Sequence, residues 1–413
     1  MRKLHAFLGI AAVAATALGE NATTIDVSEP TAAVVAPVNA GGWGWYQFPT
    51  IERLPSGELL IQYQLWPDTQ TSAGTTTGKA ISTDDGKTWQ TVTNVPGYHG
   101  HHNGWTPALR LRNGDMLSPI TVPSTPLKDF DAPEPVGQDQ SSYNFTRNWY
   151  AAESLPDKLA DWHFVRWHKE QKQWIRETAE MRIPGEILFS SVQEAVLRRK
   201  HMDRMKIAPD GSIWGIRYDQ RFVDGKVQDK YHVMILRSTD AGRSWDLYSE
   251  IPYKGDSEAD PNWPKQEGFS EPDVAFMPNS SVLCLMRTTY GLGPAPLYAA
   301  RSTDSGKTWS KPRVFDKVGV WPRLLALKCG VTLASYGRPG LFLRATSDPS
   351  GLKWEPPVAI VQPGALHTDT CSYSALMALD EATALLVYSD FRHKTADGDT
   401  RKAIRVRRVT VRQ

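Results

Sequence analysis

Side chains suited to acid–base chemistry and anion binding recur at regular places in this 413-residue sequence, next to short β-prone runs. They are carboxylates, imidazoles, guanidinium groups, amides and a phenol, which can transfer protons or hold charged ligands. These residues are Gln47, Gln64, Asp68, His101, His102, Arg204, Asp219, Glu271, Arg287, Arg323, Arg338, His367, Asp369, Tyr373 and Asp390. This polar density exceeds what a structural role needs, and it predicts a ligand site wherever the fold brings these residues together.

The elements that carry these residues belong to a repeated unit, and residues 271–309 contain one complete copy of it. A β-prone run at 271–276 turns at Pro278-Asn279-Ser280 and returns through 282–287, and a third run follows at 297–301. Short β-prone runs separated by turn residues are typical of an antiparallel meander.

Each unit tends to end in the same octapeptide, Ser-Thr-Asp-x-Gly-Lys/Arg-Ser/Thr-Trp. Good copies lie at 82–89, 238–245 and 302–309, and a looser copy lies at 347–354. The Asp can cap backbone N–H groups in a tight turn, the Gly allows positive φ, and the Trp can fold back onto the sheet. Three good copies, each after the same hairpin, predict a repeat fold.

We therefore predict an all-β protein, a six-bladed β-propeller of four-stranded antiparallel blades. The units begin near Tyr46, Trp105, Asp203, Glu271, Trp321 and Ser372. The propeller is predicted to span 41–413, after a linker and ring-closing strand at 20–40 that completes the sixth blade. An insertion at about 123–161 could be an unstructured surface loop or a lid over a site.

The propeller geometry predicts where the polar residues meet. First strands begin, and second strands end, at one face of the disc, so residues at these points converge on the axis. The Asp-containing turns lie at the opposite face and are interpreted as folding elements.

Charge and cysteine content limit the classes of partner and cofactor that the chain is expected to bind. A formal net charge of +2 argues against a nucleic-acid or membrane-surface role. Three scattered cysteines are too few for a disulfide framework or a zinc site. The histidines at 99, 101 and 102 allow a metal site, but contact with a sugar or acid–base work is the favoured interpretation, so no metal or cofactor is expected.

The N-terminal segment, residues 1–19, has two basic residues, an Ala-rich apolar run and a small-x-small sequence. This pattern predicts a secretory signal peptide and a secreted or periplasmic protein, with a buried N-terminal helix as the alternative.

Six units, Asp boxes and the strand-end residues together resemble the sialidase (neuraminidase) superfamily of Asp-box (BNR) repeat propellers, over about residues 41–411. The resemblance implies a Tyr nucleophile assisted by a Glu, an Asp acid/base, and arginines that clamp a sugar carboxylate. Matched by position, these are Tyr373, Glu271, Asp68, and the clamp residues Arg287 and Arg338. A phenol meets less repulsion than an anionic nucleophile when the anomeric carbon bears a carboxylate.

The resemblance breaks in the first unit. The superfamily has an aromatic-Arg-Ile-Pro signature there, whereas this chain has Tyr46-Gln47-Phe48-Pro49. Gln47 thus replaces a clamp arginine, and Gln64 replaces the glutamate that orients it. Losing both members of an ion pair leaves no orphaned charge. Gln can bond hydroxyls or an amide but cannot replace a bidentate Arg–carboxylate contact, so the specificity is expected to differ from that of true sialidases.

The leading interpretation is a secreted exo-acting glycoside hydrolase that acts on terminal, acidic sugars of glycans by a retaining mechanism. Further substrate-binding candidates are Gln47, Gln64, His102, Arg204 and Arg323. One alternative is a polysaccharide lyase, in which an Arg neutralises a uronate and a His or Tyr acts as base.

Another alternative is a non-catalytic glycan-binding propeller that stacks sugars on Trp43, Trp45, Trp105 or Trp321. Structural roles are also open for the chosen residues. Tyr373 could be a core aromatic, Arg287 and Arg338 inter-blade ion-pair partners, and Glu271 a loop cap.

Overall fold

The computed structural model of the chain describes residues 23–38, 40–68, 77–95, 106–120, 124–141, 144–198, 202–288 and 294–412. The predicted signal peptide at 1–19 lies outside the described residues, as do His101, His102 and Trp105. Within the described residues, no helix has the length and apolar character needed to cross a membrane.

Blades one, four and five are each a four-stranded antiparallel sheet whose strands follow chain order. Their strands are Gln47–Arg53, Leu59–Gln64, Thr77–Ser82 and Gln90–Val92; Phe269–Phe276, Val282–Thr288, Leu297–Ser302 and Arg313–Asp316; and Val320–Ala326, Thr332–Gly337, Leu341–Thr346 and Val358–Val361. First strands of neighbouring blades pack against one another, so they line the axis of the disc.

Blades two and three are also four-stranded, but their outermost strands pair in parallel and join them into one eight-stranded sheet. Their strands are Leu109–Arg110, Met116–Pro119, Trp162–His168 and Gln173–Arg182; and Arg204–Ile207, Ile213–Asp219, His232–Ser238 and Ser244–Ile251. The pairing Glu180 with Ser244 begins directly beside the second Asp-containing turn.

Blade six joins the first and last described segments of the chain. Its strands are Ser374–Ala378, Thr383–Lys394 and Thr400–Arg412, with Thr24–Val27 and Thr31–Val35 added outside. Both N-terminal strands pair with the last strand, Thr24 opposite Arg412 and Thr31 opposite Val406. The ring is therefore closed by hydrogen bonds between the first and last described segments.

The region after blade two's second strand is folded, unlike a surface loop. It forms a five-stranded sheet with strands Thr125–Pro126, Gly137–Gln140, Thr146–Ala151, Ile187–Ser191 and Val196–Leu197. Tyr150, Leu155 and Leu159 pack on Leu188 and Leu197. The strands after blade two thus complete a core that the 123–161 segment could not bury alone.

Short elements complete the described chain. They are 3-10 turns at Leu127–Asp129, Ala152–Ser154 and Trp263–Lys265, a helical turn at Asp157–Ala160, and a small hairpin of Phe222–Val223 with Lys226–Val227.

The apolar core lies between blades. Ile216 and Ile235 of blade three pack with Val274 and Met286 of blade four in one buried cluster. Burying an aliphatic side chain of this size contributes roughly 1.5–3 kcal/mol. Each blade therefore depends on its neighbours.

The Asp-containing turns form as predicted. Asp84 accepts hydrogen bonds from the backbone N–H groups of Lys87 and Thr88 at 3.0 and 2.9 Å. Gly86 has φ +82°, and Trp89 donates its indole N–H to the Gly86 carbonyl at 3.2 Å. The same pattern recurs around Asp240, where Trp245 is fully buried.

Candidate active site

A β-bulge starts the first strand of blades one, four and five. Pairing with the second strand shifts by one residue there, and the residue before proline has positive φ: Phe48 at 53°, Glu271 at 47° and Trp321 at 46°. Positive φ is uncommon for such residues, and bulges re-aim side chains next to functional sites. The X-Pro steps at these strand starts thus turn Glu271 and Trp321 toward a common centre.

Three side chains meet at that centre. The Tyr373 hydroxyl donates to Glu271 Oε1. Arg287 Nη1 donates to the same carboxylate oxygen at 2.6 Å and to the Tyr373 hydroxyl at 3.2 Å. The other carboxylate oxygen, Oε2, accepts the backbone N–H of Trp321 at 2.9 Å. Both oxygens of Glu271 are therefore held in place by three different blades.

Tyr373 is a neutral phenol at physiological pH. Burial, followed by the negative charge of Glu271, raises the pKa of Tyr373 well above its ordinary value. Its proton is already directed at a carboxylate oxygen, which can take the proton as the phenol oxygen attacks an electrophile. The pair can thus act as a base-assisted nucleophile.

Asp68 lies at the rim, on the loop after blade one's second strand. Its Oδ2 accepts the indole N–H of Trp43 at 3.0 Å. Although part of its side chain is exposed, loss of hydration raises the pKa of Asp68, while the Trp43 bond and the charges of Arg338 and Arg287 oppose this. A raised pKa suits a general acid, and the Trp43 ring that is bonded to Asp68 lies 5.2 Å from the Arg338 guanidinium carbon.

Arg338 borders the same site from blade five. Its Nη2 donates to the Cys371 carbonyl at 2.8 Å, and its guanidinium carbon lies 5.4 Å from the Tyr373 ring centroid. Arg287 and Arg338 thus bring two cations to Tyr373. An anionic substituent beside the reacting atom could be bound by both.

Arg204 and Arg323 lie behind Trp321. Their guanidinium carbons are 4.0 and 5.1 Å from its ring centroid, and the indole stacks on Tyr373 at 4.6 Å. Both arginines are buried, and Arg323 donates from Nε to the Ser374 carbonyl at 3.1 Å. With almost no exposed surface, these two residues pack against Trp321, and Arg204 Nε and Nη2 have no hydrogen-bond partner among the described residues.

Gln47 lies opposite Gln64 in the pairing of blade one's first two strands. Gln47 is fully buried, and neither its amide nitrogen nor its amide oxygen has a hydrogen-bond partner among the described residues. Gln64 donates to the Trp66 carbonyl at 2.9 Å. An unbonded buried amide costs about 1–3 kcal/mol, so Gln47 retains hydrogen-bonding capacity that its own sheet does not use.

Three aspartates singled out in the sequence have structural partners. Asp369 Oδ2 accepts the N–H groups of Gly340 and Gly364 at 2.8 and 2.9 Å. Asp219 pairs with Arg217, and Asp390 pairs with Arg405. These aspartates hold loops and strand ends together.

Sequence reasoning misses Tyr218, a phenol on which the negative charge of Glu271 acts. Loss of hydration, then the carboxylates of Asp203 and Glu271, raise the pKa of Tyr218 well above its ordinary value. The available signal was its position one residue before Asp219, at the end of a second strand.

A cavity lies elsewhere in the protein, and the described residues form no cluster suited to a metal ion. A cavity of about 460 Å³ is bordered by Trp162, Glu186 and Phe222, and none of its lining residues belongs to the Tyr373 site. Among the described residues, no group of three or more His, Cys, Asp or Glu side chains is arranged to hold a metal ion.

Comparison with known proteins gives a local sequence match and a global structural one. The BNR/Asp-box repeat matches residues 80–91, which contain the first Asp-containing turn. No curated protein matches significantly.

Among solved structures, a Dyadobacter fermentans protein of unknown function shares 18% identity with TM-score 0.61, covering 94% of this chain and 99% of its own. An α-L-arabinanase of Penicillium chrysogenum complexed with arabinobiose shares 13% identity with TM-score 0.52, covering 92% and 98%. The NanB sialidase of Streptococcus pneumoniae shares 12% identity with TM-score 0.47, covering 92% and 70%.

Proposed function

Since the chain has the fold of the sialidase-like six-bladed propellers with a BNR/Asp-box repeat, we propose that it is an exo-acting glycoside hydrolase that releases a terminal acidic sugar with retention of configuration. The observation that carries this proposal is the mutual contact of Tyr373, Glu271 and Arg287 at the mouth of the ring. The arabinanase among the structural neighbours supports glycoside hydrolysis on this scaffold.

In the first step, the Tyr373 oxygen attacks the anomeric carbon, and its proton passes to Glu271 Oε1. The bond to the leaving oxygen breaks as that oxygen takes the Asp68 proton. In the second step, Asp68 removes a proton from water, water oxygen attacks the anomeric carbon, and Tyr373 leaves and recovers its proton from Glu271. Two displacements at one carbon give net retention.

Arg287 and Arg338 supply the preference for an acidic sugar. Both guanidinium groups lie beside Tyr373, where a carboxylate on or near the anomeric carbon would lie. Gln47, which is fully buried, occupies the place of a third cation, so this wall of the site offers no charge to a carboxylate. We therefore expect other acidic glycosides to be better substrates than sialosides.

The test is a panel of aryl glycosides that includes a sialoside, a uronide and an uncharged arabinofuranoside. Aryl alcohol release gives rates, and NMR of the first sugar released gives its anomeric configuration. Retention with preference for the acidic sugar supports the proposal. Arg338→Ala should cost roughly 2–5 kcal/mol of transition-state binding for the acidic sugar and little for the neutral one.

Other outcomes would exclude parts of this scheme. A product of inverted configuration would contradict the role of Tyr373 as nucleophile. A preference for neutral sugars that is unchanged in Arg338→Ala would contradict the carboxylate clamp. An unsaturated, ultraviolet-absorbing product would instead indicate a lyase. Glycan binding without turnover would indicate a binding module, although the rings of Trp43 and Trp321 already contact protein groups.

We also propose that residues 1–19 direct export and are removed, so that the substrate is an extracellular or periplasmic glycan. N-terminal sequencing of the exported protein should find a start close to residue 20. A mature chain that retains residues 1–19 would contradict this.

A further inference from the structure

The loop before blade one's first strand is tied to Asp68 by two hydrogen bonds. The Trp43 indole N–H donates to Asp68 Oδ2 at 3.0 Å, and the Asp68 backbone N–H donates to the Trp43 carbonyl at 3.2 Å. A side-chain bond and a backbone bond between the same two residues fix both the carboxyl group and the chain that carries it.

The loop is shaped for this close approach. A Cβ atom on Gly44 would lie 2.3 Å from the Asp68 nitrogen and 2.3 Å from the Trp66 carbonyl oxygen, and Gly44 has φ +101°. From blade six, Lys402 Nζ donates to the Gly42 carbonyl at 2.7 Å. Only glycine fits at position 44, so the loop is built against the Asp68 backbone.

The indole ring of Trp43 is also fixed. His367 lies 4.5 Å from its centroid, and the Arg338 guanidinium carbon lies 5.2 Å away. Phe48 meets Trp43 edge-on at 6.1 Å and meets Tyr373 edge-on at 4.7 Å. Trp43 therefore links the carboxyl group of Asp68 to the wall that holds Tyr373.

From these contacts we infer that Trp43 is a positioning residue that aims the acidic proton of Asp68 at the leaving-group oxygen. An N–H donor occupies Oδ2, so in the protonated carboxyl group the proton resides on Oδ1. That Oδ1 proton passes to the glycosidic oxygen as its bond to the anomeric carbon breaks, and Oδ1 later accepts a proton from water. This role rests on the proposed function.

The charges that face Asp68 set the direction of the pH effect. Arg338 and Arg287 favour its ionised form, as does the Trp43 bond, whereas Glu271 and loss of hydration disfavour it. His367 packs against Trp43, and the charge of Arg338 acts on it. Removing the indole N–H removes one stabilisation of the carboxylate, so the pKa of Asp68 should rise.

The test compares wild type with Trp43→Phe on aryl glycosides of the preferred sugar with good and poor leaving groups. Poor leaving groups need the acid, so their kcat/KM should fall about 10-fold or more, and good ones far less. The alkaline limb of the pH profile should move to higher pH. In an Asp68→Ala background, Trp43→Phe should add no further leaving-group dependence.

Trp162→Phe is the matched control, because the Trp162 indole donates to a carboxylate, Glu186, at 3.2 Å outside the site. It should leave the leaving-group dependence and the pH profile unchanged. A second readout needs no turnover: the indole ¹⁵N–¹H resonance lost in Trp43→Phe should titrate with pH in wild type and not in Asp68→Asn.

The outcomes separate the two proposals. A wild type that cleaves no glycoside overturns the proposed function and this role with it. If the wild type is active and Trp43→Phe has the same leaving-group dependence, the positioning role alone is overturned. The same holds if the Trp43 resonance titrates equally in wild type and in Asp68→Asn.

Discussion

The hydroxyl of Tyr373 in blade six donates a hydrogen bond to the carboxylate of Glu271 in blade four, across 102 residues of sequence. Arg287 donates to both groups, so phenol, carboxylate and guanidinium form one closed set. The proton acceptor for the phenol is therefore in place, which is the preorganisation that the proposed nucleophile requires.

Glu271→Gln should lower kcat by about 10²–10⁴-fold, because an amide cannot take the phenol proton. Tyr373→Phe should lower kcat at least as much, since it removes the attacking oxygen. Steady-state rates on the best glycoside of the panel measure both.

Tyr298→Phe is the control for these substitutions. Tyr298 is a buried tyrosine that donates to a carboxylate, Asp260, at 2.9 Å without belonging to the site. It should alter stability and leave kcat near wild type. Wild-type turnover by Tyr373→Phe would remove this residue from the mechanism.

Gln47→Arg together with Gln64→Glu should raise whatever sialoside hydrolysis the protein has. The two positions face each other across the sheet, so a new guanidinium would gain an orienting carboxylate. Gln47→Arg alone should do worse and lower the melting temperature, because it buries an unpaired cation. Kinetics on a fluorogenic sialoside and thermal melts check both variants.

Two results would contradict that reasoning about blade one. Efficient sialoside cleavage by wild type would mean that Gln47 does not limit specificity. A single Gln47→Arg variant as active and as stable as the double variant would mean that Gln64→Glu does not orient the new guanidinium.

Gly44→Ala should impair both stability and catalysis. The new methyl group would collide with the backbone at Asp68 and Trp66, and the positive φ adds strain of about 1–3 kcal/mol. Gly42→Ala, in the same loop, has open space around its Cβ and should be neutral. Thermal melts and kcat/KM for a poor leaving group distinguish them, and equal behaviour of the two variants would refute the close packing.

The Asp-containing turns should make stability depend on acid pH. Hydrogen bonds from Thr308 and Ser302 lower the pKa of Asp304 to about 2. A depressed folded-state pKa stabilises the fold above the unfolded value near 4, and this contribution is lost as pH falls toward about 2. Asp304→Asn should therefore lower the melting temperature at pH 7 by more than it does near pH 2.

Asp129→Asn, at an exposed aspartate, is the control for Asp304→Asn and should show no such convergence. A melting-temperature difference for Asp304→Asn that stays constant from pH 7 to pH 2 would contradict the linkage. Scanning calorimetry over this range measures the effect.

Local patterns were predictable because their causes are local. Asp84 and Gly86 form their turn with hydrogen bonds inside one octapeptide. Three copies of that octapeptide were therefore enough to predict the repeat and the six blades. The resemblance likewise selected Tyr373, Glu271 and Arg287, and the tertiary structure brings these three into contact.

Other features depended on partners far away in the sequence. Sequence spacing could not show that Arg204 and Arg323 pack on the indole of Trp321, which in turn stacks on Tyr373. For the 123–161 segment the sequence left open an unstructured loop or a lid, and its described residues are folded because Leu188 and Leu197 from after blade two give them a core. Neither outcome is encoded in a single segment.

The sequence by itself determined the repeat, the blade count and the strand ends at which polar side chains lie, because hydrogen-bonded turns and alternating burial are properties of short segments. Only the tertiary structure decided which of those side chains touch. Whether Trp43 holds Asp68, or Trp321 covers Arg204, depends on how bulges and loops from different blades aim at the axis. Packing between blades fixes the directions of these side chains, and the spacing of residues in the sequence does not show that packing.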